Sequence, residues 1–248
     1  MERKLSEFIL GCEHEMINEK VIIAPCWLPE SVGIENPLLI SENSCKIWNC
    51  EIDGIHITYI VTGVGAAVCM DIVKSLGNTC CKEILFIGSA GSLKQGQHIG
   101  DFAIPTGIIV AEGASRYLED NISDDLFGKI VFISCNTRKK LYDCLKKITP
   151  KYGIHVHEGL GISVESISMQ YEHMDQITSL KCDFIDMEAS ACLSAANSNE
   201  IECSVVFCIS DNNSQGEALY TILDDRTKYR KQIRKTVMPF LIKEFIYE

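Results

Sequence analysis

Two kinds of hydrophobic pattern alternate along the chain. Strand-like runs of apolar residues occupy residues 21–25, 55–62, 83–87, 182–186 and 203–209. The longest of them are continuous, which is typical of strands buried on both faces. Apolar or small residues at helical spacing occupy residues 66–76, 139–148, 187–197 and 225–247. The alternation of the two patterns predicts an α/β fold.

The composition does not divide the chain into parts. No linker rich in proline, glycine and serine interrupts its 248 residues, and the sequence contains no internal repeat. A chain of this length suffices for one large or two small domains. Without a linker, we expect a single domain over residues 1–248.

Two acidic residues follow predicted strands in the second half of the chain. Asp211 comes just after the run 203–209, and Glu188 lies in the first turn of the helix that follows the run 182–186. Ligands collect at the carboxyl ends of strands in open α/β sheets. One carboxylate there can hold a pair of ribose hydroxyls while a second carboxyl group delivers a proton to a leaving base. The alternative is that Glu188 only complements a helix dipole and that Asp211 only forms a turn.

Glycine-rich segments follow two other predicted strands. The run 83–87 leads into the Gly/Ser segment 88–93, and the run 55–62 leads into Gly63-Val64-Gly65 before a helix. Turns of this kind expose backbone N–H groups that suit an anion or a ribose oxygen. Each segment predicts a ligand contact, although the glycines are equally compatible with plain turns.

Charge and hydropathy exclude two classes of partner. The formal net charge is −11 with only 23 Lys and Arg residues, whereas a nucleic-acid surface needs clustered cations. No apolar stretch approaches the ~18 to 20 residues of a membrane span. The start of the chain also lacks a signal-like apolar core. We therefore expect a cytoplasmic protein that binds neither nucleic acid nor membrane.

The thirteen cysteines do not indicate a disulfide framework or a metal site. Their number is odd and most lie within apolar runs, where reduced thiols behave as small hydrophobes. No paired zinc spacing is present. His155 and His157 share one face of a strand beside Glu158, but no further ligand has a recognisable spacing. We expect no bound metal.

Five motifs in chain order carry a family resemblance. They are the segment 88–93, GDFAIPT at 100–106, EGAS at 112–115, DMEAS at 186–190 and ISD at 209–211. Together they resemble the nucleoside phosphorylase superfamily, which contains purine nucleoside phosphorylases, uridine phosphorylases and methylthioadenosine/S-adenosylhomocysteine nucleosidases. The resemblance implies a three-layer α/β/α domain around a twisted, mixed central sheet. It also implies a homo-oligomer, a small-molecule nucleoside as substrate and no cofactor, with phosphate as co-substrate in a phosphorylase.

The resemblance also implies roles for individual residues. Glu188 matches the acid that binds the ribose hydroxyls, Met187 the methionine that packs on the sugar, and Asp211 the acid that protonates a purine leaving group. The other implied site residues are Gly65, Gly88, Ser89 and Arg116 at the nucleophile or phosphate, and Ile167 and Ser210 in the base pocket.

The chain departs from the family where the nucleophile binds. Phosphorylases of the family carry an arginine after the first strand and often a second two residues before the Gly88 position, where this chain has Phe86. Guanidinium groups normally clamp a phosphate dianion, and Arg116 is the available substitute. The nucleosidases instead place an acid-rich turn after the first strand, and Glu30 is the nearby candidate acid here. Ile167 stands where the family has a base-stacking aromatic residue.

Three functions are compatible with these motifs. We favour cleavage of the N-glycosidic bond of a purine nucleoside by phosphorolysis, because an acid-rich turn that would activate water is missing. A hydrolytic nucleosidase is the second interpretation. The third is a nucleoside-binding protein of the same fold that has lost catalysis, since both constellations that would activate a nucleophile are incomplete.

Overall fold

The computed structural model describes residues 2–221 and 224–247, which contain ten strands and seven α-helices. The strands are β1 (Lys20–Ala24), β2 (Leu38–Glu42), β3 (Lys46–Ile52), β4 (Ile55–Val61), β5 (Glu83–Ser92), β6 (Phe102–Ala111), β7 (Ile130–Phe132), β8 (Val156–Val164), β9 (Phe184–Asp186) and β10 (Glu202–Asn212). The helices are α1 (Arg3–Leu10), α2 (Ala66–Leu76), α3 (Cys135–Ile148), α4 (Ile167–Glu172), α5 (Met174–Ser179), α6 (Ala189–Ser198) and α7 (Asp224–Tyr247).

The strands form one mixed sheet that closes on itself at one end. β10 pairs with both β5 and β6, β6 pairs with β8, and β9 joins β8 back to β5, so these five strands make a ring. The remaining strands continue from β5 in the order β1, β4, β3 and β2, and β7 is added to the edge of β6. β5 and β10 run parallel, whereas β6 and β9 are antiparallel to β10 and β5 respectively. The mixed sheet expected from the resemblance is confirmed.

The segment predicted as a glycine-rich turn is the second half of β5. Residues 88–92 continue the strand, with β10 on one side and with Gly91 and Ser92 paired to β9 on the other. Pairing on both sides outweighs the weak strand propensity of glycine and serine. A Cβ at Gly91 would lie 2.8 Å from Asp211 Oδ2, so the glycine also lets β10 approach closely.

Helices cover both faces of the sheet and complete the three layers. α1, α2 and α6 lie on one face, where the core includes Leu10, Val73, Ala191 and Phe207. The other face is covered by α3 and α7, whose buried residues include Leu145, Val237, Met238 and Leu241. The small residues of α6 allow close packing, and Ala191, Ala195 and Ala196 are fully buried. The α/β/α architecture is therefore confirmed.

The C-terminal helix follows its predicted pattern closely. α7 begins at Asp224 and continues through Pro239 to Tyr247. Its apolar stripe packs on the sheet, and Arg230 and Arg234 lie on the same stripe at helical spacing. In the described part of the chain, no helix combines the length and apolar composition needed to cross a bilayer.

Replacing Gly159 by alanine should destabilise the fold. Its Cβ would lie 2.0 Å from Oδ2 of Asp183, the atom that accepts a hydrogen bond from the Leu160 backbone N–H at 3.0 Å. Since Asp183 precedes β9 directly, relieving this clash must disturb the β8–β9 pairing. We expect a loss of about 1 to 3 kcal/mol in the free energy of unfolding, measured by urea denaturation.

Gly113→Ala is the matched control. The atom nearest to its Cβ would be Oε1 of Glu165, at 3.2 Å, which is the end of a flexible side chain. We expect a change within about 0.5 kcal/mol. If both variants lost the same free energy of unfolding, the contact between residue 159 and Asp183 would not be the cause of the destabilisation.

Candidate active site

A cleft of about 260 Å³ opens where the carboxyl ends of β5 and β10 meet the end of β9. Its lining residues are Pro25, Cys26, Val64, Ser89, Gly91, Ile167, Gln170, Ile185, Asp186, Met187, Glu188, Ser210, Asp211, Leu219 and Arg230. The closed ring of strands is what brings these segments to one place, because β9 and β10 each border β5.

Glu188 is held at the start of α6 with its side chain in the cleft. The residue is 6% exposed, and its Oε1 accepts a hydrogen bond from the backbone N–H of Gly65 at 2.7 Å. Gly65 has φ +126°, a conformation that favours glycine, and it directly precedes α2. Burial, together with the charge of Asp186, raises the pKa of Glu188 to about 8. The side chain is thus an anchored carboxyl group with capacity for further hydrogen bonds.

Asp186 is buried beside Glu188 and is much better supplied with donors. It accepts hydrogen bonds from the backbone N–H groups of Glu188 (2.9 Å) and Ala189 (2.7 Å) and from the hydroxyl of Ser163. These N–H groups belong to the first turn of α6, which otherwise leaves its donors unpaired. Asp186 therefore fixes the turn that carries Glu188, although its burial raises its own pKa.

A third buried acid, Glu112, extends this network away from the cleft. Glu112 accepts hydrogen bonds from the backbone N–H of Ala114 and from the hydroxyls of Ser115 and Ser190. The backbone N–H of Ser190 in turn donates to Ser163 Oγ at 2.9 Å. The EGAS motif thus orients its own loop and ties it to α6, which is a structural role for Glu112.

Asp211 lies near the end of β10 on the other side of the cleft. The pairing of β10 with β5 shifts register between Ile209 and Asp211, which turns this end of the strand locally. Asp211 is 5% exposed, and its Oδ1 accepts a hydrogen bond from Ser210 Oγ. Burial raises the pKa of Asp211, while the Ser210 hydrogen bond and the charge of Arg230 act against that rise. A buried carboxyl with a raised pKa suits proton donation at neutral pH.

Arg230 brings a guanidinium group into the cleft. It is half-buried, and its Nη1 donates to the Ser210 carbonyl at 3.5 Å. Its Nε is buried and has no hydrogen-bond partner among the described residues. The sequence analysis missed Arg230, although an arginine on the apolar stripe of a helix is a recognisable signal. Its charge is available to an anion at this end of the cleft.

The neighbouring arginine holds the segment that follows β1. Arg234 is 7% exposed, its guanidinium lies 4.4 Å from the centre of the Trp27 ring, and Nε donates to the Ser31 carbonyl at 3.4 Å. Cys26, next to Trp27, lines the cleft. α7 therefore supplies both a cation in the cleft and a support for its wall.

Most of the residues expected at the site come together. Asp211, Glu188, Met187, Ser89, Ile167 and Ser210 line one cleft, and Gly65 contacts Glu188. Gly88 is buried within β5 beside the Phe86 ring, and it does not line the cleft. Gln170 and Leu219 were not anticipated; they lie on the cleft wall with Ile167.

Arg116 and Glu30 are placed away from the cleft. Arg116 borders a separate depression with Ala67, Met70, Asp71, Gly113, Tyr117 and Glu165. It follows the loop that Glu112 orients, and that loop faces α2 rather than the Asp211 side. Glu30 is exposed in a short turn after β1. In residues 2–221 and 224–247, no group of three or more His, Cys, Asp and Glu side chains is arranged to hold a metal ion.

Comparison with known proteins agrees with the resemblance found in the motifs. The sequence profile of the phosphorylase superfamily matches residues 29–241. A 5'-methylthioadenosine/S-adenosylhomocysteine nucleosidase from Actinobacillus succinogenes is 26% identical over 71% of this chain and 76% of that protein.

Solved structures share the fold at lower identity. Uridine phosphorylase from Vibrio fischeri ES114 superposes with a TM-score of 0.77 at 18% identity, covering 94% of each chain. A purine nucleoside phosphorylase from Toxoplasma gondii, solved in complex with immucillin-H, gives a TM-score of 0.74 at 20% identity over 98% of each chain. With the superfamily profile matching most of its length, the chain belongs to the phosphorylase superfamily.

Proposed function

We propose that the protein cleaves the N-glycosidic bond of a purine nucleoside by phosphorolysis, giving the free base and ribose 1-phosphate. The observation that carries this proposal is the pair of buried carboxyl groups, Glu188 and Asp211, in one cleft. Asp211 lies on β10 and Glu188 at the start of α6, so a small ligand can bind between the two carboxyl groups. Family membership supports the same reaction class.

In the proposed complex, the sugar lies on the Glu188 side. A carboxylate accepts hydrogen bonds only, so it suits two neighbouring ribose hydroxyls that both donate. Met187 offers an apolar surface for the sugar ring, and Val64 also lines the cleft. This arrangement fixes the anomeric carbon between the two carboxyl groups.

The base lies on the Asp211 side, against Ile167, Gln170 and Leu219. As the glycosidic bond breaks, electrons of the C–N bond move onto the base and the sugar acquires oxocarbenium character. The Asp211 carboxyl donates its proton to the imidazole ring of the departing purine, which neutralises the charge that develops there. A phosphate oxygen then forms the new bond to the anomeric carbon.

The position of Arg230 supports phosphate as the nucleophile. Phosphate needs a cation close to it, and Arg230 lines the cleft whereas Arg116 does not. Hydrolysis would need a base that activates water, and Glu30, the candidate for that role, is exposed outside the cleft. Because the sequence is 26% identical to that of a nucleosidase, hydrolysis is the second candidate function.

Arg230→Gln should weaken the use of phosphate. Loss of a hydrogen bond to a charged group is worth about 1.5 to 3 kcal/mol, so KM for phosphate should rise by roughly 10- to 100-fold. The measurement is the initial rate of base release against phosphate concentration at saturating nucleoside.

Arg116→Gln is the matched control, because it removes the same charge from the depression outside the cleft. Its KM for phosphate should equal that of the unmodified protein. The role given to Arg230 would be wrong if the two variants changed KM for phosphate equally.

Asp211→Asn should slow the cleavage of purine nucleosides by about 10² to 10⁴, because an amide cannot supply the proton. A nitrophenyl riboside, whose leaving group departs without protonation, should be affected much less. The comparison requires kcat for both substrates with the variant and the unmodified protein. Equal slowing of both substrates would mean that Asp211 positions the site and donates no proton.

A further inference from the structure

The two acidic residues of the DMEAS motif are unequally supplied with hydrogen-bond donors. Asp186 and Glu188 are both 6% exposed and lie two residues apart. Asp186 accepts from three backbone N–H groups at the start of α6 and from the hydroxyl of Ser163, whereas Glu188 accepts from two backbone N–H groups, those of Gly65 and Met187. The donors that most stabilise a negative charge are thus already bonded to Asp186.

The groups that face the pair come from several neighbouring segments. In the described part of the chain, neither carboxyl group forms an ion pair with a lysine or an arginine. From the segment after β1 the facing group is the thiol of Cys26, whose pKa burial raises, so that it is neutral. At the start of α2, the facing group is the backbone N–H of Gly65, the residue that precedes the helix. Asp211 on β10 and Arg230 on α7 line the same cleft, and the charge of Arg230 acts on Asp211.

Two buried carboxyl groups whose charges repel each other do not both ionise near neutral pH. Before a nucleoside binds, the pair therefore retains one proton. This proton resides on Glu188, because the larger number of donors stabilises Asp186 as the anion. The form of Glu188 that accepts two hydrogen bonds from a sugar is its carboxylate, so Glu188 must lose its proton when the sugar binds.

We propose that binding of a nucleoside's vicinal hydroxyls drives a proton from Glu188 into solvent, and that Asp186 is the positioning residue that makes sugar binding proton-linked. This inference rests on the proposed function. The O–H bond of Glu188 breaks, its electrons stay on the carboxylate and the proton passes to the buffer. Two sugar O–H groups then donate hydrogen bonds to the carboxylate. No other bond changes.

Uncleavable C-nucleosides allow binding to be measured without turnover. Formycin A has a purine-like base and pseudouridine a pyrimidine base. Titration calorimetry over a pH series should show affinity rising by about tenfold per pH unit below the midpoint and levelling off above it. Below the midpoint, parallel titrations in PIPES and in imidazole, whose ionisation enthalpies differ, should report the release of up to one proton per nucleoside bound.

Two variants separate the two acidic groups. Asp186→Asn removes the neighbouring charge, so the midpoint should move to lower pH while affinity at alkaline pH stays near that of the unmodified protein. Glu188→Gln should bind weakly at every pH and release no proton. A role of Asp186 in holding α6 alone would lower affinity at all pH values and leave the midpoint unchanged. Should Asp186→Asn not fold, the unmodified protein and Glu188→Gln still decide whether the proton comes from Glu188.

The outcomes distinguish the inference from the proposed function. Binding with no proton release, or with an affinity that does not change with pH, overturns the inference and leaves the nucleoside site standing. Proton release that persists in Glu188→Gln also overturns it. If neither C-nucleoside binds at any pH, the proposed function fails and the inference fails with it.

Discussion

The parallel pairing of β5 with β10 is the constraint on which the site depends. The pairing extends from the Glu83–Glu202 pair to the Ser92–Asn212 pair. On its other side, the C-terminal end of β5 pairs with β9. The resulting ring of five strands brings Asp211 and the start of α6 to opposite sides of one cleft. If the sheet were open at β5, β10 with Asp211 and β9, which leads to Glu188, would no longer border the same strand.

Closing the ring also removes the carboxyl groups of this region from water, which is costly unless each one is hydrogen-bonded. Glu112 and Asp186 are each supplied by backbone N–H groups and serine hydroxyls. Glu188 accepts from backbone N–H groups alone, those of Gly65 and Met187, and no described hydroxyl donates to it. Compared with Glu112 and Asp186, Glu188 therefore has more unused hydrogen-bonding capacity, and a ligand with paired hydroxyls can use it.

The sequence was sufficient for the architecture and for much of the cleft. Long apolar runs locate β1, β4, β5 and β10, and acids after strands locate the two carboxyl groups, because these signals are local. Two errors have a tertiary cause. Residues 88–92 are a strand because neighbours on both sides pair with them, and the cation of the cleft is Arg230 because α7 returns to the strand ends. Arg116, although next to a motif, faces another depression. That residues 1–248 form a single domain stays a prediction.

Product analysis with and without phosphate tests the central claim most directly. The protein is incubated with purine and pyrimidine nucleosides in phosphate-free buffer and again after phosphate is added, and the sugar product is identified by NMR. Phosphorolysis through this cleft predicts free purine and ribose 1-phosphate only when phosphate is present. Free ribose formed at the same rate in both buffers would contradict it in favour of hydrolysis, and nucleoside binding without any base release would show that the cleft binds but does not catalyse.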